Sequence, residues 1–192
     1  MAAKHKQPED RDGFRFRGGC NAIDLAATLQ ARLSPTPREL LATPSDLSRW
    51  LVSAGLARIA PEVSEEDLAT ARVLREAIYE LLGQRGTAQS RTARKILNEI
   101  AARPAAVPQL RSDGTVTLAG AGAALVVSLA REAVQVLGSD AAKLIRQCES
   151  PSCTLYFLDT SRRGDRRWCS MLACGNRAKA AGFRRRNRRV KK

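Results

Sequence analysis

Histidine and aromatic residues are scarce in this chain, and each scarcity narrows the chemistry it can perform. The single histidine, His5, lies in a polar lead, so neither a histidine-based triad nor a histidine metal site can be assembled. Eight aromatic side chains in 192 residues leave few platforms for stacking single-stranded bases. Tyr156, Phe157, Trp168 and Phe183 serve equally well as a miniature core for the C-terminal segment. No glycine-rich phosphate loop is present. No apolar run approaches the roughly 18 to 20 residues of a membrane span. The N-terminal stretch also lacks the apolar region of a signal peptide, which predicts a cytoplasmic protein with reduced thiols.

The residues present favour helices. Alanine and leucine dominate a 44% hydrophobic composition. The formal net charge is +14, and residues 148–192 hold +10 of it, with thirteen Lys/Arg against Glu149, Asp159 and Asp165. Such asymmetry points the tail toward a polyanion, either nucleic acid or an anionic surface.

Four of the five cysteines, Cys148, Cys153, Cys169 and Cys174, form two C-x4-C pairs inside that basic segment. In a reduced compartment, four thiols at repeated spacing predict one structural Zn2+, the alternative being a pair of disulfides. Four thiolates leave no open position for a catalytic water, so the chain reads as a non-enzyme. Ser150-Pro151-Ser152 supplies a bend within the first pair. Cys148 is placed at the end of an incoming helix, Cys153 at the start of a strand over 154–158, and Arg163-Gly164-Asp165 at a turn. Cys169 precedes a helix that holds Cys174 near its first turn. Arg146, Arg163, Arg166, Arg167 and Arg177 are the candidates to balance the centre's charge. Cys20 reads as a small residue at a helix start.

Upstream, residues 1–12 read as a disordered lead. Phe14 and Phe16 form a strand-like alternation ending at Gly18-Gly19. Asn21 is placed as the cap of a helix running through Leu33 to Ser34-Pro35. Thr43-Pro44-Ser45-Asp46 and Ser64-Glu65-Glu66-Asp67 mark two further helix starts. Helices are also predicted over 90–102 and 123–137, with a hairpin over 107–119 around Ser112-Asp113-Gly114. Ser139 starts a short helix leading to Cys148. Trp50 reads as core. Asp24 and Arg75 are placed where they could meet in the bundle, either as a buried ion pair or as the polar part of a small-molecule pocket.

The segment Trp168-Cys-Ser-Met-Leu-Ala-Cys-Gly-Asn-Arg-Ala-Lys179 resembles the signature of the CGNR zinc finger family, whose tetrapeptide is Cys174-Gly175-Asn176-Arg177 here. Ile23-Asp24-Leu25, the block from Leu40 to Leu51, Leu74-Arg75-Glu76-Ala77 and Leu129-Ala130-Arg131-Glu132-Ala133 are similar to ABATE, the helical domain that usually precedes that finger. Ala27-Thr28 departs from the Asn-Thr often found in that family. The resemblance implies zinc binding, DNA binding and a role in transcription regulation.

The expected architecture is mainly α. A disordered lead (1–12) is followed by a helical domain with a small hairpin (13–143). A knuckle–hairpin–helix zinc finger (144–189) and a basic end (190–192) complete the chain. On the last helix, Leu172, Asn176, Phe183 and Val190 project to one face, and Arg177, Arg184 and Arg188 to another. Arg177, Lys179, Arg184, Arg185, Arg186, Arg188 and Arg189 are the candidate nucleic-acid contacts, with DNA as the leading partner and RNA as the alternative. A protein-interaction module and a merely solvated basic tail remain competing readings. The helical domain is assigned sensing of a small molecule or homodimerisation, in a protein that works at the nucleoid.

Overall fold

The computed structural model describes residues 9–83 and 88–190, with residues 88–89 and 185–190 described by backbone alone. His5 and the end of the basic tail, Lys191-Lys192, lie outside the described residues. Among those described, the protein is mainly α, with six helices and four two-stranded hairpins.

The chain opens with a hairpin of β1 (Asp10–Arg11) and β2 (Phe14–Arg15), in the register Asp10↔Arg15 and Arg11↔Phe14. Residues 9–12 are thus ordered, contrary to the expectation of a disordered lead. Asp12 and Gly13 take φ of 48° and 80°, the left-handed pair that closes a two-residue loop, and an Asp-Gly dipeptide is its usual sequence signal. The hairpin is pinned by Phe14, which is buried, and by Phe16 stacked on Trp50 with centroids 5.9 Å apart. Trp50 is fully buried, as core.

Helix α1 (Asn21–Ala26) is much shorter than the sequence suggested. Its N-cap is Cys20, not Asn21, and the Ala22 N–H donates 2.7 Å to the Glu132 carboxylate of a later helix. At the other end the Thr28 hydroxyl donates to the Leu25 carbonyl at 2.7 Å, a side-chain bond that competes with helix continuation. The chain then turns through Ala31, at φ 52°, into a hairpin of β3 (Leu29–Gln30) and β4 (Arg38–Glu39). Leu33, counted in the predicted apolar stripe, is 82% exposed.

Helix α2 (Pro44–Ser53) starts where its signals place it. The Thr43 hydroxyl accepts from the Asp46 N–H at 3.3 Å, and the Asp46 carboxylate accepts from the Thr43 N–H at 2.9 Å. Helix α3 (Glu65–Gly83) has the matching box between Ser64 and Asp67, at 3.1 and 2.9 Å. Its stripe of Leu68, Ala71, Leu74, Ile78 and Leu82 packs against α4 (Ala88–Ala101) and α5 (Gly122–Gly138). The α5 face of Leu125, Val126, Leu129 and Ala130 completes the core. Between α4 and α5 lies the hairpin of β5 (Val107–Leu110) and β6 (Val116–Ala119), as expected from Asp113-Gly114. Arg131 donates to the carbonyls of Ala101 and Arg103 at 3.0 and 2.8 Å, satisfying acceptors at the end of α4.

Asp24 and Arg75 do not meet. The Asp24 Oδ1 accepts the backbone N–H groups of Arg17 (2.7 Å) and Gly18 (2.6 Å). Arg75 makes a paired contact to Glu39 at 2.6 and 2.8 Å and a third bond to Glu76. These separate partners replace the ion pair that was the first of the two expectations. The reason is local: the two N–H groups before α1 have no helical acceptor, and Asp24 is the carboxylate that reaches back to them.

Burial pushes the Asp24 carboxyl up to about 7 against the pull of those two N–H donors. The folded chain therefore holds a proton at pH values where the unfolded chain, near 3.9, has released it. Stability from this group is complete below about pH 4 and is lost as the pH rises through 7. Asp24→Asn keeps an acceptor oxygen and removes the titration. Denaturant unfolding at pH 5 and pH 8 is expected to show a stability difference, on the order of a few kcal/mol, that shrinks in Asp24→Asn.

Candidate metal centre and basic helix

After a 3₁₀ turn (Asp140–Leu144), strand β7 (Ile145–Gln147) delivers Cys148. This corrects the expectation that Cys148 ends a helix. The segment Tyr156-Phe157-Leu158 forms β8 and takes Ile145–Gln147 as its partner, in the register Ile145↔Leu158, Arg146↔Phe157 and Gln147↔Tyr156. Between the two strands, the Cys153 N–H donates 2.8 Å to the Ser150 carbonyl, and the Cys148 N–H donates 2.9 Å to Leu155. This is the bend that Ser150-Pro151-Ser152 foretold.

The return loop is organised by Asp159, which is buried. Its carboxylate accepts from the Ser161 hydroxyl at 2.6 Å, the Ser161 N–H at 3.0 Å and the Arg166 N–H at 2.9 Å. These bonds, with the hydroxyl first, hold its pKa below the usual range. Gly164 turns the loop at φ 64°. Cys169 then stands just before a π turn (Met171–Gly175), whose first free N–H groups are met by Ser170: its hydroxyl accepts from Ala173 at 3.3 Å. The Gly175 N–H reaches back to the Ser170 carbonyl at 3.0 Å, the five-residue step of a π turn. That wider turn brings Cys174 round to face Cys169. Helix α6 (Asn176–Val190) continues from it.

The four sulfurs all lie within 4.8 Å of one another, and no disulfide joins them. Cys153 and Cys169 are 3.8 Å apart and Cys169 and Cys174 are 3.7 Å apart. A tetrahedral Zn–S bond of about 2.3 Å requires sulfur–sulfur edges of about 3.8 Å, so the donor set fits the ion. Cys148, Cys169 and Cys174 are buried, and Cys153 is partly open to solvent. Without a cation these groups cannot all ionise. Hydrogen bonding from Cys169 holds the Cys153 thiol down, while burial raises Cys148 and the bond to Cys153 raises Cys169. A divalent ion removes that conflict by favouring all four thiolates together.

Two of the sulfurs take a hydrogen bond from outside the thiol set: the Cys169 N–H donates to Cys148 at 3.4 Å, and the Arg177 guanidinium donates to Cys174 at 3.1 Å. Of the five arginines predicted to balance the centre, Arg177 binds a sulfur. Arg166 stacks on Phe157 and donates to the Trp168 and Cys169 carbonyls. Arg167 pairs instead with Glu149, Arg146 donates to the Lys143 carbonyl, and Arg163 is exposed. Ala27, the departure from Asn noted above, is buried in one cluster with Cys148, Leu155, Phe157, Cys169 and Cys174. Cys20 lies apart from the centre; burial pushes its thiol up to about 12.

On the basic helix, Arg177, Lys179 and Arg184 are exposed. Arg185, Arg186, Arg188 and Arg189 occupy the same helix, and their side chains lie outside the described residues. Leu172 and Phe183, which share one face of the helix projection, are 82% and 58% exposed. The small core beneath is filled instead by Phe157, with Trp168 packed on it.

The ABATE family model, described as "Putative stress-induced transcription regulator", matches residues 21–140. The chain belongs to the ABATE family. A second model, the CGNR zinc finger, matches residues 145–187 and contains all four cysteines of this ABATE protein. No curated protein matches the chain. The sulfur geometry and the finger together assign one structural Zn2+.

Metal analysis of the reduced protein is expected to give one zinc per chain. Because binding displaces thiol protons, affinity must fall as the pH falls. Competition with a chromophoric chelator at pH 8 and pH 6 measures this, and the apparent dissociation constant is expected to rise by at least about tenfold at the lower pH. Cys174→Ser should lose stoichiometric zinc under the same conditions.

Proposed function

We propose that this ABATE protein is a zinc-dependent, DNA-binding transcription regulator. The observation that carries the reading is the exposure of Arg177, Lys179 and Arg184 on a helix whose first turn is locked to the metal site through Cys174. Zinc fixes where that helix starts, and the helix presents cationic side chains to the surroundings. Guanidinium groups bind phosphate oxygens and guanine edges in pairs, and a helix is the element that fits the major groove. The +10 charge of residues 148–192 supplies the salt-dependent affinity.

The family descriptions are of regulator and zinc-finger types, and four sulfurs fill a tetrahedral ion's positions, so the ion's role is structural. No helix among the described residues is long and apolar enough to cross a membrane. We place the working protein in the cytoplasm, on the nucleoid. The helical domain would sense a signal or dimerise. One of its clefts, about 280 Å3, is lined by Leu81, Leu97, Val134 and Leu137 together with Arg94 and Asn98, a lining suited to a small amphipathic molecule.

Fluorescence anisotropy with labelled duplex DNA over a salt series tests the proposal. Arg184→Ala should weaken binding and reduce the slope of log K against log salt by about one phosphate equivalent while retaining zinc. Arg177→Ala should lose DNA affinity and zinc together, since that side chain serves Cys174 as well. Unchanged DNA affinity in both variants would overturn the reading. Stronger binding to structured RNA, or to one stoichiometric protein partner, would assign the helix to that partner instead.

A further inference from the structure

The cleft between α3, α4 and α5 is set apart by what lines it and by what its walls support. Leu81 of α3, Leu97 of α4, and Val134 and Leu137 of α5 give it an apolar lining around a volume of about 280 Å3. Arg94, Leu97 and Asn98 stand three and four residues apart, so they share one face of α4. Leu97 is buried, while Arg94 and Asn98 are exposed. Among the described residues Arg94 forms no ion pair and no hydrogen bond, so its guanidinium is free to take a ligand. At Gly138, which also lines the cleft, an added Cβ would meet nothing within 4 Å, and the space beside it is open.

Taking the helical domain as the sensing part of the regulator, we propose that this cleft binds a small apolar monocarboxylate, held by Arg94, and that its occupancy is transmitted to the finger. The apolar lining takes the body of the ligand. The Arg94 guanidinium takes the carboxylate in a paired contact, and the Asn98 amide, one turn further along the same face, offers a second donor. An amine would meet a like charge there, and an alcohol would forgo the charge-assisted bond. One guanidinium matches one negative charge, so a dicarboxylate would bring a second charge without a partner. Size follows from volume. A cavity of about 150 Å3 holds benzene, so nearly twice that space takes a chain of roughly eight carbons or two fused rings.

Two walls of the cleft belong to the segments on which the finger is seated. Two residues beyond Leu81, Gly83 lies so close to β8 that a Cβ there would stand 2.6 Å from the Tyr156 hydroxyl. Two residues before Leu81, Tyr79 meets the same Tyr156 ring edge-on. On the other wall, Leu137 and Gly138 end α5, and the chain runs from them through the 3₁₀ turn into β7 and Cys148. Ile145 of β7 and Tyr156 of β8 both pack on the helical core. A ligand seated between Leu81 and Leu137 therefore bears on both attachments of the β7–β8 ladder and holds them in one arrangement.

The test uses the full, zinc-loaded chain with sodium octanoate as the probe, and octanol and octylamine as controls of equal length. Calorimetry is expected to show one octanoate site per chain, at least about tenfold tighter than octanol, with octylamine weaker still. Arg94→Gln, a surface change that leaves the core alone, should erase the preference for octanoate, and Arg94→Lys should restore part of it. Val134→Phe, at a residue 39% exposed, should block octanoate by filling the cleft. In the parent, octanoate should slow amide exchange at residues 79–83 and 137–147 and change duplex DNA affinity by at least about fivefold. Undiminished octanoate binding by Arg94→Gln would assign it to the basic tail and overturn the proposal. So would exchange at residues 137–147 that ignores octanoate, or a measurable duplex affinity that octanoate leaves unchanged. A protein that binds octanoate through Arg94 with the expected exchange, yet binds no DNA at all, would support this site and overturn the DNA-binding function instead.

Discussion

Four sulfur atoms held within 4.8 Å of one another, three of them buried, are an unstable arrangement of like groups unless a cation sits among them. Most of the last quarter of the chain exists to make and hold that arrangement. The β7–β8 ladder sets the distance between Cys148 and Cys153. The Asp159 loop sets the return to Cys169, and the π turn sets the approach of Cys174. The apolar support is slight: a buried Phe157, a buried Leu155 and a partly covered Trp168. A core of that size cannot offset the backbone entropy of some forty residues, on the order of 1–2 kcal/mol each, so metal coordination must supply much of the balance.

The same economy explains why the finger leans on the helical domain. Tyr156 packs edge-on against Tyr79 of α3, with centroids 5.4 Å apart, and Leu158 meets Gly18 and Gly19. Arg131 and Glu132, adjacent on α5, serve two other helices at once: the first takes carbonyls at the end of α4, the second an N–H group at the start of α1. Helix ends that lack their own caps are thus closed by side chains from α5. The start of α1 and the end of α4 are held in this way by side chains of α5.

Elements with local instructions were legible in the sequence. The capping boxes at Thr43 and Ser64, the Asp113-Gly114 hairpin, the Ser150-Pro151-Ser152 bend and the four-cysteine set each carry their geometry within a few residues. What failed depended on distant partners. Helix α1 ends early because Thr28 takes a helical carbonyl and β3 finds β4, and no apolar periodicity records that choice. Cys148 follows a strand because Tyr156-Phe157-Leu158 needs one to pair with. Asp24 and Arg75 were matched by charge where backbone N–H groups and Glu39 were the true partners. The Asp12-Gly13 hairpin signal was present and went unread.

Helix α6 poses the remaining physical question, which is what keeps it helical. Its principal packing partner is the π turn at its own start, and Leu172 and Phe183 face outward. A free helix of 15 residues is marginal in water, and like charges at helical spacing along so basic a sequence oppose it further. The Cys174 end supplies nucleation, since the metal fixes the first turn at no further entropic cost. The far end gains most from an anion, because a phosphate between two arginines turns a repulsion into a shared contact. On the proposed function, a line of phosphates is the chemistry that would offset this repulsion along a helix whose start is fixed at the metal site.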